Sequence, residues 1–477
     1  MKQILTQVTV IGAGIAGTWL AYRLARDGVS VVMLTAGHED TPTVSLGAAT
    51  VFNRRLMDSR SPEDLANILL DETATQHPEL QSLLHRYLQR EFAELTELVP
   101  FQTLATMLVP RHPIPFPRLG AGGEVIALLH EQILTLGGQI ITGRVTDLLV
   151  EDGVCRGIAY VHAEGQGIVQ SGAVVIASGG YSGLMPQAHT HNSGSMLGTF
   201  AAAGGELTNL EFSQRHALGD LTAGRVLYPP DLEGAQFYRG DERAVWLERA
   251  YATISEERRD IEIFQQYWRY NGHIPHTLKR GDISYSLGPI YGLSMGGVAH
   301  IGSASNIENV HVAGEAAHDI AADAIIGRPW AIYISSAGRL ADTLKSLPAE
   351  TTPEAFSVPE RSSEVDAELR TSVRRRLLSF EDHRFSEAAV AEFTEWCRRS
   401  RKELSETHNS DAAILILAES YALSALLRRE SRGYFYRADF PTADPTLSRH
   451  RTVARYDRFS DTVQVELVPN AIGSRPG

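Results

Sequence analysis

Three glycines near the N-terminus constrain this chain more than any other feature: Gly12, Gly14 and Gly17, in the run Gly12-Ala13-Gly14-Ile15-Ala16-Gly17. The β-branched run Val8 to Ile11 before them reads as a buried parallel strand. After them, Thr18 to Asp27 carries helical periodicity through Trp19, Leu20, Tyr22, Leu24 and Ala25, and Gly28 ends it. Val29 to Leu34 supplies a second strand. In this strand–turn–helix–strand setting the G-x-G-x-x-G spacing has a mechanical meaning. Gly12 permits the tight turn, Gly14 lets a pyrophosphate approach the backbone, and Gly17 lets the helix pack close to the strand. The helix start offers N–H groups and the positive end of its dipole to phosphate. A dinucleotide is the expected ligand. An acidic residue usually ends the second strand and meets the ribose hydroxyls; here Thr35 stands there, with Glu39 and Asp40 a few residues on. A threonine hydroxyl is a weaker partner than a carboxylate.

The 477 residues suffice for two or three structural units. A net charge of −13, from 57 acidic and 44 basic side chains, argues against a nucleic-acid partner. The two cysteines, Cys155 and Cys397, lie far apart outside any CxxC pattern. Neither a disulfide scaffold nor an iron–sulfur site is expected, and a reducing, cytoplasmic setting fits. Met1 to Thr6 is too short and polar for a signal peptide, and no long apolar run predicts a membrane span. His189-Thr190-His191 has strand spacing but no cysteine or carboxylate cluster nearby, so it reads as a polar loop and no metal is expected.

The chain returns to the nucleotide much later. Leu148 to Val150 and Gly157 to Tyr160 read as a hairpin around Glu151-Asp152-Gly153. Ala173 to Gly180 is a buried strand ending in small residues, and Val310 to Glu315 is another with a Gly-Glu end and a helical stretch after it. Small residues at strand ends let a flat or phosphorylated cofactor approach the backbone. An NAD-binding domain would instead add further βαβ units directly. The spread of segments points to FAD.

Four stretches, in order along nearly the whole chain, carry a resemblance to a known family. They are the GAGIAG turn; the strand end Val174-Val175-Ile176-Ala177-Ser178-Gly179-Gly180; Asn209-Leu210-Glu211-Phe212-Ser213-Gln214-Arg215-His216; and Arg429-Glu430-Ser431-Arg432-Gly433 with Asp439-Phe440-Pro441. Together they resemble the fumarate reductase/succinate dehydrogenase flavoprotein superfamily, and within it the L-aspartate oxidases. The resemblance implies an α/β fold: a Rossmann-like FAD-binding domain (1–214 and 296–345), an inserted α+β capping domain (215–295) and a C-terminal helical domain (346–477). In the capping segment, Glu242 to Tyr270 reads as an amphipathic helix, and Ala413 to Leu427 is the clearest of several helices between about 350 and 430. Noncovalent FAD is implied as well, because the loop Thr43 to Ala49 carries no histidine to tether it. FAD contacts are expected at Gly12, Gly14, Ile15, Ala16, Gly17, Thr35, Ser45, Gly47, Val145, Ala177, Gly179, Gly314 and Glu315.

In this superfamily histidine and arginine hold substrate carboxylates beside the flavin, hydride passes to N5, and a base takes the second proton. His216 matches the first substrate-binding histidine, with Glu211 and Gln214 supporting the loop or the flavin. The second histidine position holds Gly292, with Tyr291 beside it. Tyr291 either donates a hydrogen bond to substrate or packs; its ordinary pKa near 10 makes it a poor base. The position of the family's arginine holds Ile326, and Arg328 follows two residues later, in a loop that also carries His318 and Asp319. Arg239, Arg243 and Arg280 are candidates for a capping-domain arginine without its motif. The expected catalytic set is His216, Arg328 and Tyr291. With two dicarboxylate anchors changed, the expected substrate is an amino acid or related carboxylate other than aspartate or fumarate. Its electrons would pass to oxygen or an external acceptor. Two alternatives stay open: a reductase or desaturase of an unsaturated carboxylate, and a catalytically degenerate flavoprotein acting as a binding partner. A monooxygenase fits less well, since no second G-x-G-x-x-G is present for NADPH.

Overall fold

The computed structural model describes residues 2–36, 78–104, 107–110, 121–185, 192–227, 234–253, 276–317, 328–348, 356–362, 364–380 and 385–469, with isolated positions at 52–53, 58, 61, 187–188, 190, 232 and 263. Its centre is a seven-stranded sheet. Strands β1 (Lys2–Ile11), β2 (Val31–Thr35), β3 (Gln139–Thr142), β4 (Arg144–Glu151), β5 (Val154–His162) and β6 (Gly165–Ile176) run in the order β3-β2-β1-β6-β5-β4. The strand Val310–Val312 adds to the other edge of β6. Pairing is parallel from β3 through β2 and β1 to β6 and on to Val310–Val312, and antiparallel from β6 through β5 to β4. Ile11 pairs with Ile176, and Ile176 with Val312, so three carboxyl ends stop side by side. Val8, Val10, Val174, Val175 and Val310 are at most 1% exposed, as parallel strands covered on both faces require.

Helix α1 (Ile15–Arg26) lies on one face, where Trp19, Leu20 and Leu24 pack with residues of the helices Pro78–Leu98, Ala121–Thr135 and Arg328–Leu344. A buried carboxylate pins these helices together. Glu91 accepts from Trp19 Nε1 at 2.7 Å and from Arg23. Gly338 leaves it room, since a Cβ there would stand 2.1 Å from the carboxyl carbon. A second layer follows: β7 (Ser213–Asp220) pairs antiparallel with β8 (Ile283–Ser294), and the sheet continues through Thr277–Arg280 and Gln236–Arg239. This segment has its own apolar cluster, including Leu218, Phe237, Leu247, Leu278 and Leu287.

The C-terminal helices Ala367–Leu378 and Glu387–Glu403 are capped by Asp366 and Ser386, which accept from the backbone N–H groups of Leu369 and Ala389. They surround helix α2 (Asn409–Leu427). By length and composition α2 is apolar enough to cross a membrane, but 78% of its apolar window is buried inside the protein, as in a core helix.

The expected elements appear with shifted bounds. β1 begins at Lys2, and α1 begins inside the glycine run because Gly14, extended at ψ 179°, is its N-cap. The hairpin turns at Asp152 and Gly153, both at positive φ. Of the helix expected over Glu242 to Tyr270, Glu242–Arg243 is instead a short strand and Val245–Thr253 is helical; 254–262 and 264–275 lie outside the described residues. The C-terminal region is not all helix. It ends in a hairpin, His450–Asp457 with Thr462–Pro469, whose Ala454 pairs with Leu207 of the first half of the chain. The period-two run Val463, Val465, Leu467 carried that signal.

Two of the motifs quoted above are joined through a buried charge network. Arg428 donates to Glu211, to Glu430 at 2.9 Å and to the carbonyl of His450 at 3.2 Å. Thr452 Oγ1 donates to the other oxygen of Glu211 at 2.7 Å, and Arg432 donates to Glu430 at 2.9 Å. Both glutamate side chains are 0% exposed and Arg428 is 2% exposed. Removing one member of a buried ionic set strands the others without compensation, at about 3–5 kcal/mol. Arg428→Ala is therefore expected to lower the melting temperature of the FAD-loaded protein strongly, while Arg429→Ala, on an exposed side chain, leaves it within a degree or two. Equal melting temperatures in calorimetry would contradict the clamp.

Candidate active site

The line of strand ends is drawn tight by glycine. Gly12 sits at φ +114°, and a Cβ there would stand 2.3 Å from the carbonyl oxygen of Ala177. Its N–H donates to Leu34 at 2.8 Å, and the Ala177 N–H donates to Ile11 at 2.8 Å. A Cβ on Gly17 would lie 2.0 Å from the Gly12 carbonyl oxygen, so α1 rests directly on the turn. Gly314, at φ +71°, would place a Cβ 2.6 Å from that of Ala16. No side chain caps α1 at Gly14 and no acid stands in its first turn. An open helix start against three closely approaching backbones fits a dinucleotide pyrophosphate.

Other expected cofactor residues border this line. Ile15, Ala16 and Ala177 are buried beside it. Thr35 ends β2, buried, its carbonyl accepting from Gly143 at 2.7 Å. Val145 is buried in the cluster that holds Ile11 and Leu34. Gly179, at φ +74°, faces Asn192, whose Nδ2 donates to Ser178 at 2.8 Å. Glu39, Asp40, Ser45, Gly47, His189, His191, His318, Asp319 and Ile326 lie outside the described residues. Arg328 opens the helix Arg328–Leu344, and its side chain lies outside the described part.

Glu315 lies in the short turn Gly314–Ala317 that follows the strand Val310–Val312. Its Oε1 accepts from the backbone N–H and the hydroxyl of Ser294, each at 2.8 Å, and the carboxylate also accepts from the Gly180 N–H. Burial raises its pKa, and these donors oppose the rise. Ser294 Oγ accepts in turn from the Tyr181 N–H at 2.8 Å. Gly180 admits the contact, because a Cβ there would overlap Ser294 Oγ at 1.4 Å. Glu315 thus bolts the cofactor end to the last residue of β8. The partners Ser294, Gly180 and Tyr181 were missed from sequence; the paired Gly179-Gly180 was the available signal.

One step back along β8 lies the histidine expected to meet the substrate. His216, buried on β7, pairs with Ile290, and its ring lies against Gly292: a Cβ on Gly292 would meet Nε2 at 2.7 Å. Gln214 shares that face, its Oε1 3.5 Å from the same point and its amide donating to Tyr434 Oη at 3.4 Å. Neighbouring residues of a strand face opposite ways. Tyr291 accordingly lies under Arg215, whose guanidinium sits 4.9 Å from the ring centroid, and not beside His216. Arg239 and Arg280 are exposed, and Arg243 pairs with Glu248 at 2.8 Å, so none of the three is brought to His216. Glu211, in the clamp with Arg428, supports the turn into β7, as expected of a residue outside the chemistry. Among the described residues no group of histidines, cysteines and carboxylates suits a metal. Cys155 and Cys397 are free and buried, and burial pushes the Cys155 thiol up to about 11.

Two family models match. The FAD binding domain covers residues 7–223, and the C-terminal domain of the fumarate reductase flavoproteins covers 381–474. L-Aspartate oxidase of Pyrococcus abyssi is 23% identical over 91% of this chain and 96% of its own length; that of Pyrococcus furiosus has the same values. Among solved structures, a quinol–fumarate reductase superposes with a TM-score of 0.78 at 16% identity, covering all of both chains. A Mycobacterium smegmatis Sdh1 complex does so with 0.74 at 18% identity, over 100% of this chain and 96% of that one. FAD is therefore the cofactor of this chain.

Alanine at Gly12 would impose backbone strain of about 1–3 kcal/mol besides the clash with Ala177. Gly12→Ala and Gly314→Ala are each expected to weaken FAD binding by roughly tenfold or more. Gly28, at φ +81° with nothing within 4 Å, is the control: Gly28→Asn keeps its flavin. The ratio of flavin to protein absorbance after purification reads this out, and full flavin in Gly12→Ala would exclude the turn as the cofactor site.

Proposed function

We propose that this chain, an FAD-dependent oxidoreductase of the fumarate reductase/succinate dehydrogenase flavoprotein superfamily, oxidises an amino acid or a related small carboxylate. The observation that carries the reading is the placement of His216. It packs against Gly292, two residues from Ser294, and Ser294 is bonded to Glu315 at the third strand end. Two strand residues span roughly 7 Å, within reach of a small substrate lying on the flavin. The aspartate oxidases similar to this chain support an amino acid; the glycine at 292 supports one other than aspartate.

FAD, when bound, supplies a two-electron acceptor for hydride at N5. The chain's own residues do the rest. His216 is placed to bind a carboxylate or to take a proton, with the neighbouring Gln214 amide held by Tyr434. Ile290, buried on β8 opposite His216, shields this face from water. The segment 215–295 is the capping domain in this reading, and Arg328, which opens the helix Arg328–Leu344, is its candidate cation. FAD is held noncovalently, and oxygen or an external acceptor takes the electrons.

An anaerobic screen of amino acids and dicarboxylates against the yellow protein tests this. Bleaching by an amino acid supports it, and peroxide released on readmitting air identifies an oxidase. Reoxidation of chemically reduced flavin by an unsaturated carboxylate, with no bleaching by any amino acid, would replace the reading with a reductase. His216→Ala is expected to slow reduction by about 10²- to 10⁴-fold with FAD retained; unchanged stopped-flow rates would remove His216 from the site.

A further inference from the structure

Gly292 lies in a stretch of β8, Leu287 to Ser294, in which every residue is buried. Unlike Gly12 and Gly314 it is not among the glycines at positive φ, so its backbone makes no demand for glycine. The demand comes from a side chain. A Cβ at 292 would stand 2.7 Å from Nε2 and 2.8 Å from Cδ2 of His216. Non-bonded atoms settle at about 3.5–4.0 Å, so the ring would have to retreat by roughly 0.7 Å or more. Backbone pairing of β7 with β8 on both sides of His216, at Arg215–Tyr291 and Gly219–Gly288, leaves the imidazole itself as the part that moves.

We propose that Gly292 is a positioning residue. By lacking a Cβ it lets the His216 imidazole settle against β8, and so sets the depth at which that ring meets the substrate; this rests on the function proposed above. The second histidine expected at 292 from the family resemblance is thus more than missing. The first imidazole occupies its place, and a histidine restored there would evict it. Among the described residues His216 is the imidazole set against β8, with the Gln214–Tyr434 pair as its polar neighbour.

The test uses FAD-loaded Gly292→Ala and Gly292→His with the substrate found in the anaerobic screen. A displacement of this size in a reacting group is expected to slow flavin reduction roughly 10- to 100-fold, to shift its pH profile, and to leave flavin content unchanged. In a His216→Ala background, Gly292→Ala is expected to add nothing. Wild-type rates and pH profile in Gly292→Ala, or multiplying effects in the double variant, would overturn the proposal. If Gly292→Ala alone loses FAD, recovery of flavin in His216→Ala/Gly292→Ala supports the clash with the ring, and failure to recover overturns it. If no compound reduces the wild-type flavin, the function fails but this proposal is still read: the His216 ring resonances, assigned by their loss in His216→Ala, must move and titrate differently in Gly292→Ala. Unchanged resonances would overturn it.

Discussion

Ile11, Ile176 and Val312 end side by side, and the backbones beyond them come closer than side chains would permit, Gly12 against Ala177 and Gly314 against Ala16. That approach depends on segments far apart in sequence meeting in one parallel register. The buried valines of β1 and β6 enforce it, because a slip of one residue would turn each side chain to the wrong face. Glycine at the turn then converts a packed sheet edge into a surface of backbone N–H groups at the start of α1. The cofactor end follows from these two facts.

The strands that carry His216 are attached to the glycine-lined strand ends by polar contacts. Glu315 and Ser294 tie the third strand end to β8, and Arg428 ties Glu211, at the start of β7, to Glu430 in the C-terminal segment. Ser213 pairs with Ser294, so both ties hold the same end of the strands that carry His216 and Gly292. Two of the quoted motifs, one around residue 211 and one around 430, are the two halves of a single buried ionic contact. Such a set is costly to desolvate and punishing to break, which suits a joint that holds one register.

Much of this was legible in the sequence. The G-x-G-x-x-G turn, the small-residue strand ends and the hairpin at Asp152-Gly153 follow local rules of period and turn chemistry, and they lie where those rules put them. His216 stands out in the sequence because its string is distinctive. What escaped depends on contacts between distant segments. Ser294 and Glu315 are 21 residues apart and give no shared pattern. The direction of Tyr291 depends on its register with β7, opposite Arg215, and a strand buried on both sides gives no alternation to read. The C-terminal hairpin is local and its period-two run was there to read; only its docking on Leu207 depends on a distant segment.

The central claim is that three strand ends hold one FAD without a covalent bond. Acid precipitation of the purified protein tests it most directly, with the flavin in the supernatant counted against protein. The expected result is close to one FAD per chain, released intact. Flavin that stays with the precipitate, or protein that never carried any, would contradict the account.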